Sequence, residues 1–217
     1  MVTDGRVTVN GKLVTRPGSP VDPRKDEVAV DGTPVRSQKK RYIAVYKPMG
    51  YVCTKSDELG RRILSDLLPA EWSSVYPVGR LDRESEGLIL MTNDGEFCLR
   101  VSHPRYGVLK KYRVTVRGKV ENRDLKPALD GLEIDGEFLR FASAKVLAKD
   151  FAGSLLEVEL LEGRNREIRR VMNALGYKVE NLRRTQIGNL KIGNLKPGKW
   201  RVLLDSEINH FLKSRKD

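Results

Sequence analysis

Two cysteines, Cys53 and Cys98, and two histidines, His103 and His210, are all that 217 residues contain of either type. No CxxC pair occurs, which excludes zinc-ribbon and thioredoxin-type chemistry, and the histidines lie too far apart to suggest a His-rich metal site. So few thiols read most simply as reduced cysteines in a cytoplasmic protein. No apolar run approaches the length of a membrane span, and Met1–Arg6 carry no apolar segment of the kind that builds a signal peptide. The chain also has no Gly-rich P-loop, no dinucleotide fingerprint and no G-x-S-x-G elbow. Glu84 and Glu86 form too ordinary a carboxylate pair to indicate glycoside chemistry.

Acidic residues are outnumbered. Against 29 Asp and Glu stand 41 Lys and Arg, a formal charge of +12, with a pI near 9.8. Such an excess favours a polyanionic partner through steering and counterion release, so nucleic acid is preferred over a merely basic, soluble protein. The composition, 39% apolar and 32% charged, is that of a soluble globular chain. The length suffices for one main domain plus a small appendage.

Residues 6–35 read as short strands and turns. Val7-Thr8-Val9 and Lys12-Leu13-Val14 flank Asn10-Gly11, a strong hairpin signal. Pro17, Pro20 and Pro23 stiffen the loop that follows, and Val28-Ala29-Val30 with Asp31-Gly32 gives a further strand and turn. A basic connector, Arg36 to Arg41, marks a boundary between residues 1–37 and 38–217. In the second part, strands are expected at Tyr42–Val45, Leu88–Met91, Tyr112–Arg117 and Leu155–Leu161. In the last of these, Leu156, Val158 and Leu160 share one face. Asp94 is placed to cap a helix through about Val101. The clearest helix runs from about Arg166 to Leu175, with Ile168, Val171, Met172 and Leu175 on its buried face. Asn165 is expected as its N-cap and Gly176 as its stop, with Arg166, Arg170 and Asn173 on the outer side. Ile187–Lys191 is repeated as Ile192–Lys196, which reads as turns between short strands. This order of elements predicts an α+β fold: a mixed, mostly antiparallel sheet with flanking helices.

Three segments could carry chemistry. Gly79-Arg80-Leu81-Asp82-Arg83-Glu84-Ser85-Glu86-Gly87 puts a carboxylate on a loop just before a buried strand; on spacing alone, Asp82 reads first as a turn or cap residue. Glu162 to Arg170 gathers arginines at a helix start, against the helix dipole, so a phosphate or a buried carboxylate explains them better than local stability does. Tyr112, after Lys110-Lys111, could stack on an exposed base, although a buried Tyr is the commoner meaning.

Taken in order, Tyr46-Lys47-Pro48-Met49-Gly50, Val78 to Asp82 with Glu86 to Gly95, Lys111-Tyr112 and Glu162 to Arg170 resemble the motifs of the RsuA/RluB-type pseudouridine synthases over about residues 42–204. Residues 6–35 resemble the strand-rich end of the alpha-L RNA-binding module, without the two helices that normally start it. The resemblance implies a cytoplasmic, monomeric isomerase that converts a uridine of ribosomal RNA, with large-subunit RNA favoured over small-subunit RNA, to pseudouridine without metal or cofactor. It makes Asp82 the catalytic carboxylate and Arg169 its basic partner. Ile168 becomes a pocket wall, Tyr112 the residue stacked on uracil, and Arg80 the residue that fills the flipped base's place. Arg164 belongs to the RNA-binding set, while Lys47 and Pro48 shape the fold near the site. The alternative is a ribosome-assembly factor that binds RNA without changing it.

Overall fold

The computed structural model describes residues 1–22, 24–35, 38–54 and 56–213. Pro23, and Arg36 and Ser37 of the basic connector with the expected boundary beside them, lie outside these residues. The chain forms two compact units, Met1–Lys40 and Arg41–Asp217.

In the first unit, β1 (Val7–Val9), β2 (Lys12–Leu13), β3 (Val28–Val30) and β4 (Thr33–Pro34) make a small antiparallel sheet in the order β2-β1-β3-β4. Both hairpins turn on a pair of residues with positive φ: Asn10 and Gly11 (51° and 77°), then Asp31 and Gly32 (49° and 75°). Two consecutive positive-φ residues match the twist of the flanking strands, which is why Asn-Gly and Asp-Gly stand there.

The second unit continues with β5 (Tyr42–Lys47), β6 (Tyr76–Val78), β7 (Glu86–Thr92), α1 (Gly95–Ser102) and β8 (Lys110–Arg117). After these come α2 (Lys126–Asp130), β9 (Leu132–Ile134), β10 (Glu137–Leu139), β11 (Ser143–Lys149) and β12 (Gly153–Leu160). The unit ends with α3 (Glu167–Ala174), β13 (Val179–Ile187), β14 (Leu190–Lys191), β15 (Trp200–Val202) and α4 (Asp205–Lys213). Among the described residues a nine-stranded sheet runs β11-β12-β8-β13-β7-β5-β15, with β14 beside β13 and β6 beside β7. The fold is α+β and the sheet mostly antiparallel, as the sequence implies. The one parallel pairing among the described strands joins β13 to β7.

Both faces of the centre are covered, so its strands are apolar throughout. Ile43, Val45, Ile89 and Met91 enter one core with Val114, Leu156 and the inner face of α3, whereas Ala44, Leu88 and Leu90 enter a second with Phe97 of α1 and Phe211 of α4. β12 alternates as expected, with Leu156, Val158 and Leu160 buried. In α3, Ile168, Val171 and Met172 are buried, each contributing about 1.5–3 kcal/mol relative to exposure. Asp94 caps α1 by accepting from the Glu96 amide at 3.1 Å. The N-cap position of α3 falls on Arg166, not Asn165, and Arg166 takes a left-handed φ of 49° with no side-chain cap. The Glu167 carboxylate closes that end instead by accepting from the Arg164 amide at 2.9 Å. Arg170, expected on the outer side, is half-buried through an ion pair with Glu137 and a 2.8 Å bond to the Ile134 carbonyl. Gly176 has a φ of 85°, and its N–H donates to the Asn173 carbonyl.

The parallel junction demands a glycine. Gly87 has a φ of 110°, and a Cβ there would lie 2.3 Å from the carbonyl oxygen and 2.7 Å from the nitrogen of Arg184. Gly87→Ala therefore combines backbone strain with a backbone clash. It is expected to lower stability by about 3 kcal/mol in urea unfolding.

Candidate active site

The loop between β6 and β7 carries Asp82, and its shape is imposed from three sides. Gly79 turns the chain with a φ of 73°. The Cys53 thiol clasps the backbone of Leu81, donating to its carbonyl and accepting from its amide, both at 3.3 Å. Lys47, fully buried, donates from Nζ to the carbonyls of Ser85 (2.5 Å), Pro48 (3.1 Å) and Arg83 (3.4 Å). Ser85 closes a turn by donating from its amide to the Asp82 carbonyl at 3.0 Å. Asp82 itself remains accessible, with 28% of its side chain exposed.

Asp82 lies in the wall of a cavity of about 350 Å3, within the ordinary range for small-ligand sites of about 300–1,000 Å3. Arg80, Tyr112, Arg164 and Ile168 line the same cavity. Five of the six residues singled out by sequence thus converge on one opening. The sixth, Arg169, is not among the lining residues and makes no ion pair with Asp82. Arg166 takes that place, with Nη1 3.5 Å from Asp82 and 3.0 Å from Glu84. The left-handed backbone at Arg166 turns its guanidinium toward these two carboxylates, and the Asn165 cap is lost for the same reason. Arg169 is occupied elsewhere: it donates to the Glu84 and Val179 carbonyls, both at 3.3 Å, and to Ser85 Oγ at 3.4 Å. Burial holds its guanidinium below the ordinary value, Arg166 pushes the same way, and Asp82 and Glu84 oppose them. Its charge is felt at Asp82 without contact.

Four further residues belong to the site although the sequence assigns them no individual role there. Glu167, 5% exposed, lines the cavity, and burial raises its carboxyl pKa. Lys110, also in the wall, donates to the Leu161 carbonyl at 3.2 Å, and burial followed by repulsion from Arg184 lowers its ammonium pKa to about 8. Arg184, 4% exposed, pairs across the strands with Tyr112. Its Nε donates to the Leu88 carbonyl at 2.7 Å. The fourth is Arg166. The signal for Arg184 was available: it follows Leu182 at strand spacing and therefore shares the inward face of β13.

A family model described as RNA pseudouridylate synthase matches residues 41–174, the stretch that contains the Asp82 loop, β8 and α3. The chain belongs to this family. A relative from Aquifex aeolicus, named an uncharacterized RNA pseudouridine synthase, is 40% identical over 99% of this chain and 86% of its own length. Ribosomal large subunit pseudouridine synthase B of Bacillus subtilis is 34% identical over 97% of this chain and 87% of its own. A solved structure titled as a pseudouridylate synthase superposes with a TM-score of 0.73 at 27% identity, covering 97% of this chain and 90% of that one. The protein is an RNA pseudouridine synthase of the RsuA/RluB type, an isomerase. Among the described residues no helix is long and apolar enough to cross a membrane, and no cluster of metal-ligating side chains occurs.

Lys47 generates a pH signature. Burial lowers its pKa from 10.5 to about 8, against the attraction of Cys53, Asp82 and Glu84. Between those values the unfolded chain binds more protons than the folded one, so stability rises with pH across the window. Lys47→Met removes this titration. Its unfolding free energy should gain roughly 2 kcal/mol less than wild type between pH 8 and pH 10, read from urea curves at the two values.

Proposed function

We propose that this enzyme isomerises a uridine of ribosomal RNA, in the large subunit, using Asp82 and no cofactor. The observation that carries the reading is the placement of Asp82, Tyr112 and Ile168 in the walls of one cavity rimmed by Arg80, Arg164 and Arg166. The large-subunit target is supported by the name of the Bacillus subtilis relative. The excess of 41 basic over 29 acidic residues supplies the general attraction for RNA. The four-stranded first unit adds a further RNA contact as the strand-rich part of an alpha-L module. The enzyme acts in the cytoplasm as a monomer.

The target nucleotide leaves its helix and enters the cavity, at a cost of a few kcal/mol. Arg80, exposed at the rim, fills the vacated place, and Arg164 meets backbone phosphate. Tyr112 stacks on uracil and Ile168 packs beside it. Asp82 then acts on the ribose by adding to C1′ or by taking the proton from C2′. On either route the C1′–N1 bond breaks with its electron pair on the base. The base turns and C5 bonds to C1′, which displaces the Asp82 carboxylate on the first route or is accompanied by return of the proton from Asp82 to C2′ on the second; C5 then loses its proton and N1 gains one. Product and substrate are isomers, so the electron count requires no redox partner. Arg166, with Nη1 3.5 Å from the Asp82 carboxylate, helps to hold it in place.

Asp82→Asn is isosteric and should reduce pseudouridine formation in large-subunit RNA transcripts by roughly four orders of magnitude. RNA affinity should change by less than about tenfold, since the phosphate contacts persist. Undiminished conversion would defeat the assignment. Tight, salt-sensitive binding by wild type with no base change would instead favour the assembly-factor alternative.

A further inference from the structure

Arg184 is an uncompensated cation at the bottom of the cavity. It is 4% exposed, and among the described residues no carboxylate forms an ion pair with it. Its Nε is satisfied by the Leu88 carbonyl at 2.7 Å, while Nη1 makes only long contacts, 3.5 Å to the Arg80 carbonyl and 3.5 Å to Tyr112 Oη. Nη2 is buried with no hydrogen-bond partner. A second cation, Lys110, shares the cavity and is held by a single carbonyl at 3.2 Å. The two are close enough that Arg184 depresses the Lys110 pKa. Glu162 and Glu167 of the same wall offset the charge of the half-buried Lys110, whereas Arg184 is buried without a carboxylate partner; that is costly, and the cost falls when an anion arrives.

Depth selects the anion. Arg80, Arg164 and Arg166 are exposed at the rim, where the phosphates of an RNA strand pass. Arg184 lies beneath them, across from Tyr112 on β8. What reaches that depth is the base. The geometry points to Arg184 as the group that receives the negative charge of the detached pyrimidine, its guanidinium donating to a ring carbonyl oxygen.

This rests on the pseudouridine synthase reading. When the C1′–N1 bond breaks, its electron pair stays on the base, and the charge spreads over N1 and the two carbonyl oxygens. When C5 bonds to C1′ that pair is returned, and Arg184 exchanges no proton with the base. A donor whose bond strengthens as the oxygen gains charge stabilises the cleaved state more than the bound uridine. The same bond retains the free base while it turns.

The test uses free pyrimidines as probes on the full-length protein, with binding measured by calorimetry at pH 8. 5-Nitrouracil is anionic there and uracil is neutral. Wild type is expected to bind 5-nitrouracil about tenfold more tightly than uracil, the ratio expected of one charge-assisted hydrogen bond. Arg184→Gln should abolish the preference, and Arg184→Lys should keep part of it. Arg184 also bonds two carbonyls, so each variant's fold is checked by circular dichroism. If Arg184→Gln does not fold, wild type and Arg184→Lys still decide, through competition with inorganic phosphate. Absence of competition at saturating phosphate supports a site for the base. Displacement of 5-nitrouracil by phosphate would overturn the assignment in favour of a phosphate subsite. Equal or undetectable binding of the two pyrimidines by wild type, or a preference retained in Arg184→Gln, would also overturn it. Conversion of uridine in RNA is assayed in parallel. Wild type that converts uridine without the anion preference removes only the role of Arg184, whereas wild type that converts none removes the reading beneath it.

Discussion

Lys47 sets a charge where water does not reach it, and the polypeptide around it folds to supply carbonyl oxygens. Two of the three come from the loop that displays Asp82, so this carboxylate owes its position to the solvation of an ammonium group. A neutral residue of similar size would fill the space but would not draw Arg83 and Ser85 inward. Cys53 grips the same loop from its other end through Leu81. The loop therefore behaves as an extension of the sheet and not as a surface connection, which suits a group that must hold a fixed aim.

Positive charge is distributed in two tiers. Two of the three rim arginines have carboxylate neighbours: Arg164 meets Glu162, and Arg166 meets Glu84 and Asp82. The pairs with Glu162 and Glu84 are exposed, so each contributes little to stability. Deeper in, Lys47 and Arg184 are held mainly by carbonyls and carry their charge at a desolvation cost. Net charge explains attraction to RNA, but the buried tier explains how the interior treats what enters it.

Much of this was legible in sequence wherever one local rule dominates. β5, β7 and β12 show apolar runs or strict alternation, and α3 shows its 3.6-residue spacing, because in each case a buried face dictates residue type. Asp94 and Gly176 were readable because cap and stop conformations restrict composition. β11, half-exposed at the sheet edge, carries no such restriction and gave no signal. β13 was obscured by a register shift after Arg184, which breaks its alternation. In the active site, the ordered motifs located the walls but not the pairing inside them. Which of Arg166 and Arg169 meets Asp82 depends on a single left-handed residue, and nothing in its side chain announces that backbone choice.

The junction between β7 and β13 has a further consequence. It is registered at only two positions, Arg183 with Glu86 and Arg184 with Gly87, whereas the ladders on either side are long. Asp82 hangs from the leaf that contains β6, β7 and β5. Tyr112 and Arg184 belong to the other, with β8 and β13. The sheet is bound like a book with a short spine, and the cavity is the gutter between its pages. The gap between the carboxylate and the facing wall is therefore set by that short spine together with the side-chain bonds that cross it, from Arg183 to Glu86 and from Arg184 to Leu88.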